Sequence, residues 1–206
     1  MQLVHLNLTS VTINTFLMAE RLVVISDMYG SKRGLWITSY LGYLQQYFDI
    51  VFYDSKELAN IELAVNTDEN VYEAFIGGGV NTAVAHLLKK EHEPSHYLTF
   101  CAGGSIAWKA GMMGLPMKSI YAISPLGLEA FEWKPDCPAH LLYGEYGDFN
   151  KALPSEEWAV KVGATVEVVP KFGYELYSDE KIIQKVSLSL LQNMLKKQYE
   201  PLGNRL

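Results

Sequence analysis

The sequence has few cysteines and no long apolar run. Its two cysteines, Cys101 and Cys137, lie far apart, and such a pair does not make the disulfide framework of a small secreted protein. Residues 1–10 lack the basic start and the apolar core of a signal peptide. We therefore expect a cytoplasmic protein. Lys109 interrupts the most apolar stretch, so no membrane span of roughly 20 residues is expected.

Positive charge is also scarce. The chain of 206 residues has 17 Lys and Arg against 23 Asp and Glu, a formal net charge of −6. Because nucleic-acid-binding domains usually carry a basic patch, we expect no nucleic-acid partner. An apolar fraction of 49% excludes a disordered chain. No linker, composition shift or repeat divides the sequence, which predicts one domain over residues 1–206.

Short apolar runs alternate with helical patterns along most of the chain. Because parallel strands need crossover helices, this order predicts an α/β fold with a mostly parallel central sheet and helices on both faces. The segment 4–17 is rich in Thr and Val and predicts additional antiparallel edge strands. The predicted strands cover residues 22–25, 50–53, 97–101, 119–123, 139–143 and 165–169. The predicted helices cover residues 36–47, 70–90 with a break at 77–79, 104–114 and 155–162, and a last helix has Ser178 as its N-cap.

Ligands of open α/β sheets bind at the carboxyl ends of the strands. The segments that follow the predicted strands are therefore the candidates for function: residues 26–30, 54, 101–104, 124–125, 144–148 and 170–174.

One of these segments has the pattern of a nucleophile elbow. From Thr99 to Ala107 the sequence TFCAGGSIA runs from a strand through small residues into a helix. Such a sharp turn exposes the side chain at the bend and points the helix N-terminus at it. The segment resembles the elbow of the α/β-hydrolase superfamily, written G-x-S-x-G-G, with Cys101 at the nucleophile position and Thr99 in place of the first glycine.

This resemblance extends over roughly residues 20–198. It implies the three-layer α/β-hydrolase fold, and the short connection from Leu126 to Asp136 implies a small member without a cap domain. Two other interpretations of the elbow remain open. Ser105 could be the nucleophile, because Gly103 to Ala107 also fits G-x-S-x-A. Alternatively, Cys101 could be a buried apolar residue at a strand end, as many cysteines are.

The resemblance also implies an oxyanion hole. The backbone N–H groups of Met28 and of Ala102, the residue after the nucleophile, are the expected donors. Asp27 and Tyr29 flank Met28. A carboxylate at position 27 would act as a base or repel a developing oxyanion, or it would only shape the turn.

The histidine of the usual catalytic triad is missing. Tyr174 stands where the superfamily places this base, and a tyrosine with a pKa near 10 is a poor proton acceptor. At a rise of about 3.3 Å per residue, His96 lies roughly 16 Å and His140 roughly 13 Å before the carboxyl ends of their strands. Both are therefore expected at the wrong edge of the sheet to replace the base. The resemblance gives Asp148 as the acid, with Glu145 as the alternative.

Two functions follow from the resemblance. The first is hydrolysis of a small carboxylic ester or thioester through Cys101, a thiol that needs less activation than a serine hydroxyl. The second is a degenerate, non-catalytic relative that binds a small ligand or a protein. Neither hypothesis calls for a metal or another cofactor.

Overall fold

The computed structural model describes residues 19–31, 35–147 and 153–199. It confirms the predicted fold class. Six parallel strands form one sheet in the order β2-β1-β3-β4-β5-β6. The strands are β1 (Glu20–Ile25), β2 (Phe48–Tyr53), β3 (Ser95–Phe100), β4 (Met117–Ile123), β5 (Ala139–Gly144) and β6 (Thr165–Val169). The predicted edge strands at 4–17 lie outside the described residues.

Helices cover the sheet on both faces. Every residue of β3 is buried, and because successive side chains of a strand alternate between faces, both faces must be covered. The first and last helices pack together, and the fourth packs against the second and fifth. The helices are α1 (Trp36–Leu44), α2 (Ser55–Ala59), α3 (Asp68–Ala74), α4 (Val80–Lys90), α5 (Ala102–Met112), α6 (Glu156–Val162) and α7 (Glu180–Tyr199).

The glycine-rich break in the second predicted helix is confirmed. A wide π-type turn at Phe75–Gly79 separates α3 from α4, and within it Gly78 has a φ of 143°. Backbone at this φ is open to glycine and strained for other residues. The run of glycines therefore bends the chain between the two helices.

Three details of the predicted elements are wrong. The first helix ends at Leu44 rather than at Tyr47, which is 47% exposed and has no core to pack against. Asp179, not Ser178, caps α7, because its carboxylate accepts the Lys181 N–H at 2.9 Å. The sequence pattern also missed α2, a single turn that the Asp54 carboxylate caps.

No helix within the described ranges has both the length and the apolar character needed to cross a lipid bilayer.

Candidate active site

The chain bends sharply at Cys101, between β3 and α5, as the sequence predicts. Cys101 has φ 48° and ψ −118°, a conformation that L-residues avoid. Its N–H donates to the Ile123 carbonyl of β4 at 2.9 Å, and its own carbonyl accepts the Gly104 N–H at 2.9 Å. Backbone strain of this kind costs about 1–3 kcal/mol and concentrates at functional sites.

The two glycines after the bend allow close packing of the α5 N-terminus. A Cβ on Gly103 would lie 2.5 Å from the carbonyl oxygen of Ser26, and one on Gly104 would lie 2.5 Å from the Pro125 Cβ. Real Cβ atoms do not approach other atoms this closely. The glycine pair therefore places the first turn of α5 directly against the segments that follow β1 and β4.

The Cys101 side chain is buried, and the expectation that it is exposed is wrong. None of its surface is accessible to solvent. The Phe100 ring lies 4.7 Å from that of Trp36 and 5.6 Å from that of Tyr177. The bend is local in sequence, whereas Trp36 and Tyr177, whose rings pack on that of the preceding residue Phe100, come from α1 and from the segment after β6. The elbow pattern alone could not reveal them.

Asp27 is a buried carboxylate beside this bend. Its Oδ1 accepts the N–H groups of Tyr29 at 3.0 Å and Gly30 at 3.1 Å, and its Oδ2 accepts the Tyr177 hydroxyl at 3.1 Å. Burial raises the pKa of Asp27 to about 6, although the three hydrogen bonds oppose the rise. A carboxyl group with this pKa exchanges its proton near neutral pH, which suits a general base or acid.

Tyr177 donates to Asp27, is close enough to Cys101 to interact with it electrostatically, and was not singled out from the sequence. Its ring is 1% exposed. Burial raises its pKa most, and negative charge on Cys101 or Asp27 raises it further. The hydroxyl is therefore a permanent hydrogen-bond donor. The only sequence signal for Tyr177 was its place three residues after Tyr174, in the segment where the superfamily carries its histidine.

The predicted oxyanion donors lie in buried backbone near the bend. Met28 and Ala102 have no exposed surface. Ala102 is the first residue of α5, where the N–H groups have no partner inside the helix and the helix dipole favours negative charge. An anion that forms at Cys101 would therefore be next to a favourable electrostatic environment.

Tyr174 lies at the carboxyl edge of the sheet, in a short 3₁₀ turn after β6. Ser124, which follows β4, donates its hydroxyl to the Tyr174 carbonyl at 2.7 Å. The Tyr174 hydroxyl donates to the Glu175 carboxylate at 2.9 Å and lies 3.4 Å from that of Tyr29. Burial and these hydrogen bonds raise the pKa of Tyr174. The phenol consequently stays protonated and cannot replace a histidine base.

The alternative nucleophile and acid are both held in other contacts. Ser105 lies inside the first turn of α5 and donates its hydroxyl to the Leu126 carbonyl at 2.5 Å. Glu145 follows β5 and accepts the Lys171 N–H at 2.8 Å, which joins two loops of the carboxyl edge. Asp148, the first choice for the acid, lies outside the described residues.

The four described histidines are away from the bend. His96 and His140 lie near the amino ends of β3 and β5. His86, on α4, places its Nδ1 2.7 Å from the Leu58 carbonyl. His92 is exposed in the connection to β3. Within residues 19–31, 35–147 and 153–199, no group of three or more His, Cys, Asp or Glu side chains is arranged to hold a metal ion.

An open cleft of about 720 Å³ lies beside the loop after β1. Tyr29 lines it together with residues of α2 and of the segment that follows. Asp54 also lines the cleft, but its carboxylate has a structural role, because it accepts the Ser31 N–H at 2.7 Å and caps α2. Tyr29 also places its hydroxyl 3.4 Å from that of Tyr174.

Comparisons with known proteins identify the fold. No protein-family model matches the sequence, and no curated protein matches it. Solved structures do. The α/β hydrolase domain-containing protein 10 from mouse is 11% identical with a TM-score of 0.61, covering 88% of this chain and 91% of its own. An α/β hydrolase from a lagoon-sediment metagenome of Mar Chica, Morocco, is 13% identical with a TM-score of 0.62, covering 87% of this chain and 93% of its own.

A third similar structure, from Klebsiella pneumoniae and assigned as a dienelactone hydrolase, is 13% identical with a TM-score of 0.63, covering 84% of this chain and 85% of its own. At these identities the likeness is one of fold. The chain has the α/β-hydrolase fold.

Proposed function

We propose that this protein is a thiol-dependent hydrolase of small carboxylic esters or thioesters, with Cys101 as the nucleophile. The observation that carries the proposal is the backbone of Cys101, which has a φ of 48° at the start of α5. A residue that only filled the core would pack equally well without this strain. The bend also brings the thiol next to the Ala102 N–H, which would stabilise an oxyanion.

Asp27 is the proposed proton acceptor. In the first step the Cys101 S–H proton moves to the Asp27 carboxylate, with the Tyr177 hydroxyl linking the two groups, and the sulfur forms a bond to the acyl carbon. The ester C–O or thioester C–S bond then breaks, and the leaving group takes the proton from Asp27. Water hydrolyses the acyl-thioester, and its proton restores the Cys101 thiol.

The energetics of this transfer predict a slow enzyme. A thiol has a pKa of about 8.5, so moving its proton to a carboxylate with a pKa of about 6 costs roughly 3 kcal/mol. The helix N-terminus at Ala102 lowers this cost because it favours the thiolate. In addition, the buried sulfur must become accessible. We infer that Tyr29 and Tyr174 move apart to admit substrate from the adjacent cleft.

Acylation by an activated ester tests the proposal. The wild-type protein is incubated with p-nitrophenyl acetate, and the acetylated residue is located by mass spectrometry. We expect acetyl-Cys101, with p-nitrophenol release that increases through pH 6 as Asp27 ionises. Asp27→Asn should remove that pH dependence and lower the rate at least tenfold.

The control is Cys137→Ala, because Cys137 is the second buried cysteine and lies before β5. This variant should retain the wild-type rate, whereas Cys101→Ala should lose it. Equal rates in Cys101→Ala and wild-type protein would contradict the proposal. If Ser105→Ala loses the activity and Cys101→Ala keeps it, the nucleophile is Ser105 instead.

The second candidate is a non-catalytic protein that binds a small ligand or a partner. The buried sulfur favours it, as does a protonated phenol at position 174. If it holds, the wild-type protein shows no acylation, while Tyr174→His, which puts an imidazole in the superfamily's position, produces a rate at least tenfold above background. Acylation of the wild-type protein at Cys101 would exclude this candidate.

A further inference from the structure

A second cavity lies at the opposite edge of the sheet from Cys101. It has a volume of about 200 Å³ and sits between the amino halves of β3, β4 and β5 and the helix α7. Leu190 and Met194 of α7 close one side, and Phe48, the first residue of β2, lies at another. A cavity of this size accommodates a molecule of about one ring, since an engineered cavity of about 150 Å³ binds benzene.

Four aromatic side chains surround this cavity, and the sheet register places them on one face. In the sheet register, His96 of β3 lies beside Ser119 of β4, and Tyr121 of β4 lies beside His140 of β5. Ser119 and Tyr121 are two residues apart on one strand and therefore share a face. The His140 and Tyr121 rings are stacked, with centroids 6.0 Å apart and 20° between their planes. The Phe48 and His96 rings meet edge to face at 6.3 Å. Flat aromatic walls of this kind pack best against another ring.

The two imidazoles differ in their hydrogen bonding. The Nδ1 of His96 lies 2.7 Å from the Ser119 hydroxyl, and its Nε2 lies 3.9 Å from the Glu20 carboxylate. The His140 ring has no hydrogen-bond partner among the described side chains and backbone groups. Burial lowers the pKa of His140, so its imidazole is neutral at pH 7, with one N–H donor and one nitrogen acceptor.

From this cavity we infer a binding site for a small uncharged phenol, a class of ligand independent of the proposed hydrolysis. The ring lies among Phe48, Tyr121 and Met194, and the hydroxyl donates to or accepts from the His140 imidazole. An aromatic carboxylate fits less well, because it would lose its hydration in a mostly apolar cavity that has the Glu20 carboxylate near His96.

Titration with p-cresol tests the site. Binding to the full-length wild-type protein at pH 7 is followed by NMR of the histidine rings, which reports His96 and His140 directly. We expect saturable shifts of the His140 ring signals. His140→Phe keeps a ring but removes the hydrogen bond and should weaken binding about tenfold. Met194→Trp should abolish binding by filling the cavity. His92→Ala, an exposed residue, is the matched control and should bind as wild type.

Either of two results would overturn the inference: no saturable shift at His140 up to the solubility of p-cresol, or equal affinity in wild type, His140→Phe and Met194→Trp. Benzoate that binds more tightly than p-cresol would also contradict it, since the site would then select a negative charge. Circular dichroism of each variant establishes that it is folded, so a loss of binding reflects the site.

Discussion

At the scale of single residues, Cys101 combines a strained backbone with a buried side chain. A core position normally selects relaxed backbone, and a nucleophile normally reaches solvent. Here the strain is retained by hydrogen bonds from Cys101 to β4 and from Gly104 back to the bend, while the side chain has no surface accessible to solvent. Under the proposed function, this combination is that of a nucleophile in a closed site.

Two small substitutions separate the strain from the side chain. Cys101→Gly and Cys101→Ala both remove the thiol, but only glycine adopts a φ of 48° without strain. We expect the glycine variant to be more stable than the alanine variant by about 1 kcal/mol or more, as measured by urea unfolding. A glycine variant less stable than the alanine variant would show that the bend is relaxed.

Asp27 makes stability depend on pH. Its pKa rises from 3.8 to about 6 on folding, so between these values the unfolded chain releases the proton before the folded one does. Stability therefore decreases as pH rises from about 4 to about 6 and is constant above that range with respect to this group. The rise of about two units corresponds to a loss on the order of 3 kcal/mol.

Urea unfolding at pH 4.0, 5.0, 6.0 and 7.0 measures this loss, with Asp27→Asn as the matched variant. Asparagine can keep the acceptor for the Tyr29 and Gly30 N–H groups but does not titrate. We expect the difference in stability between variant and wild type to grow in the variant's favour from pH 4 to pH 6. A difference that does not change with pH would place Asp27 at its ordinary pKa.

At the scale of elements, the N-terminus of α5 depends on how closely it approaches the strand ends. A Cβ added at Gly103 would lie 2.5 Å from the Ser26 carbonyl oxygen and 2.7 Å from that of Ile25. Both are backbone atoms, which cannot rotate away as a flexible side chain can. Helix and loop must therefore separate to admit a methyl group.

Gly103→Ala should consequently cost about 1–3 kcal/mol of unfolding free energy, the range for overpacking. Gly42 offers the control, because it is exposed in α1 and a Cβ there would contact nothing within 4 Å. Gly42→Ala should stabilise the protein by about 0.5–1 kcal/mol, since alanine favours the helix. Thermal or urea unfolding of both variants measures the contrast, and equal effects would contradict the close approach.

At the scale of the whole molecule, burial is greatest at the centre of the sheet. All six residues of β3 are buried, whereas β6 pairs only with β5 among the described strands and has only exposed and half-buried side chains. An ion pair also stabilises the amino ends of the neighbouring strands β1 and β3, because Arg21 of β1 binds the buried Glu91, which precedes β3. Local opening should therefore start at the β6 edge.

Hydrogen exchange followed by mass spectrometry tests this order. We expect peptides that contain residues 95–100 to exchange at least 100-fold more slowly than those that contain residues 165–169, because opening of the central strand requires global unfolding. Similar rates in both peptides would indicate that the sheet opens as one unit.

The α/β class, the order of the strands along the chain and the bend at Cys101 could all be predicted from local sequence patterns. These features are set locally, by apolar runs that alternate with helical patterns and by small residues between a strand and a helix. The same pattern predicted the break at Gly77–Gly79, since glycine tolerates a φ that other residues avoid.

The surroundings of the bend, in contrast, depend on how distant segments pack together. The raised pKa of Asp27, the hydrogen bond from Tyr177 to Asp27 and the burial of the Cys101 sulfur each join residues that are about 75–150 positions apart in sequence. Desolvation is a property of everything packed around a group, and no local pattern encodes it. The cavity between His96, His140 and α7 has the same origin, since it forms only where three strands and a distant helix meet.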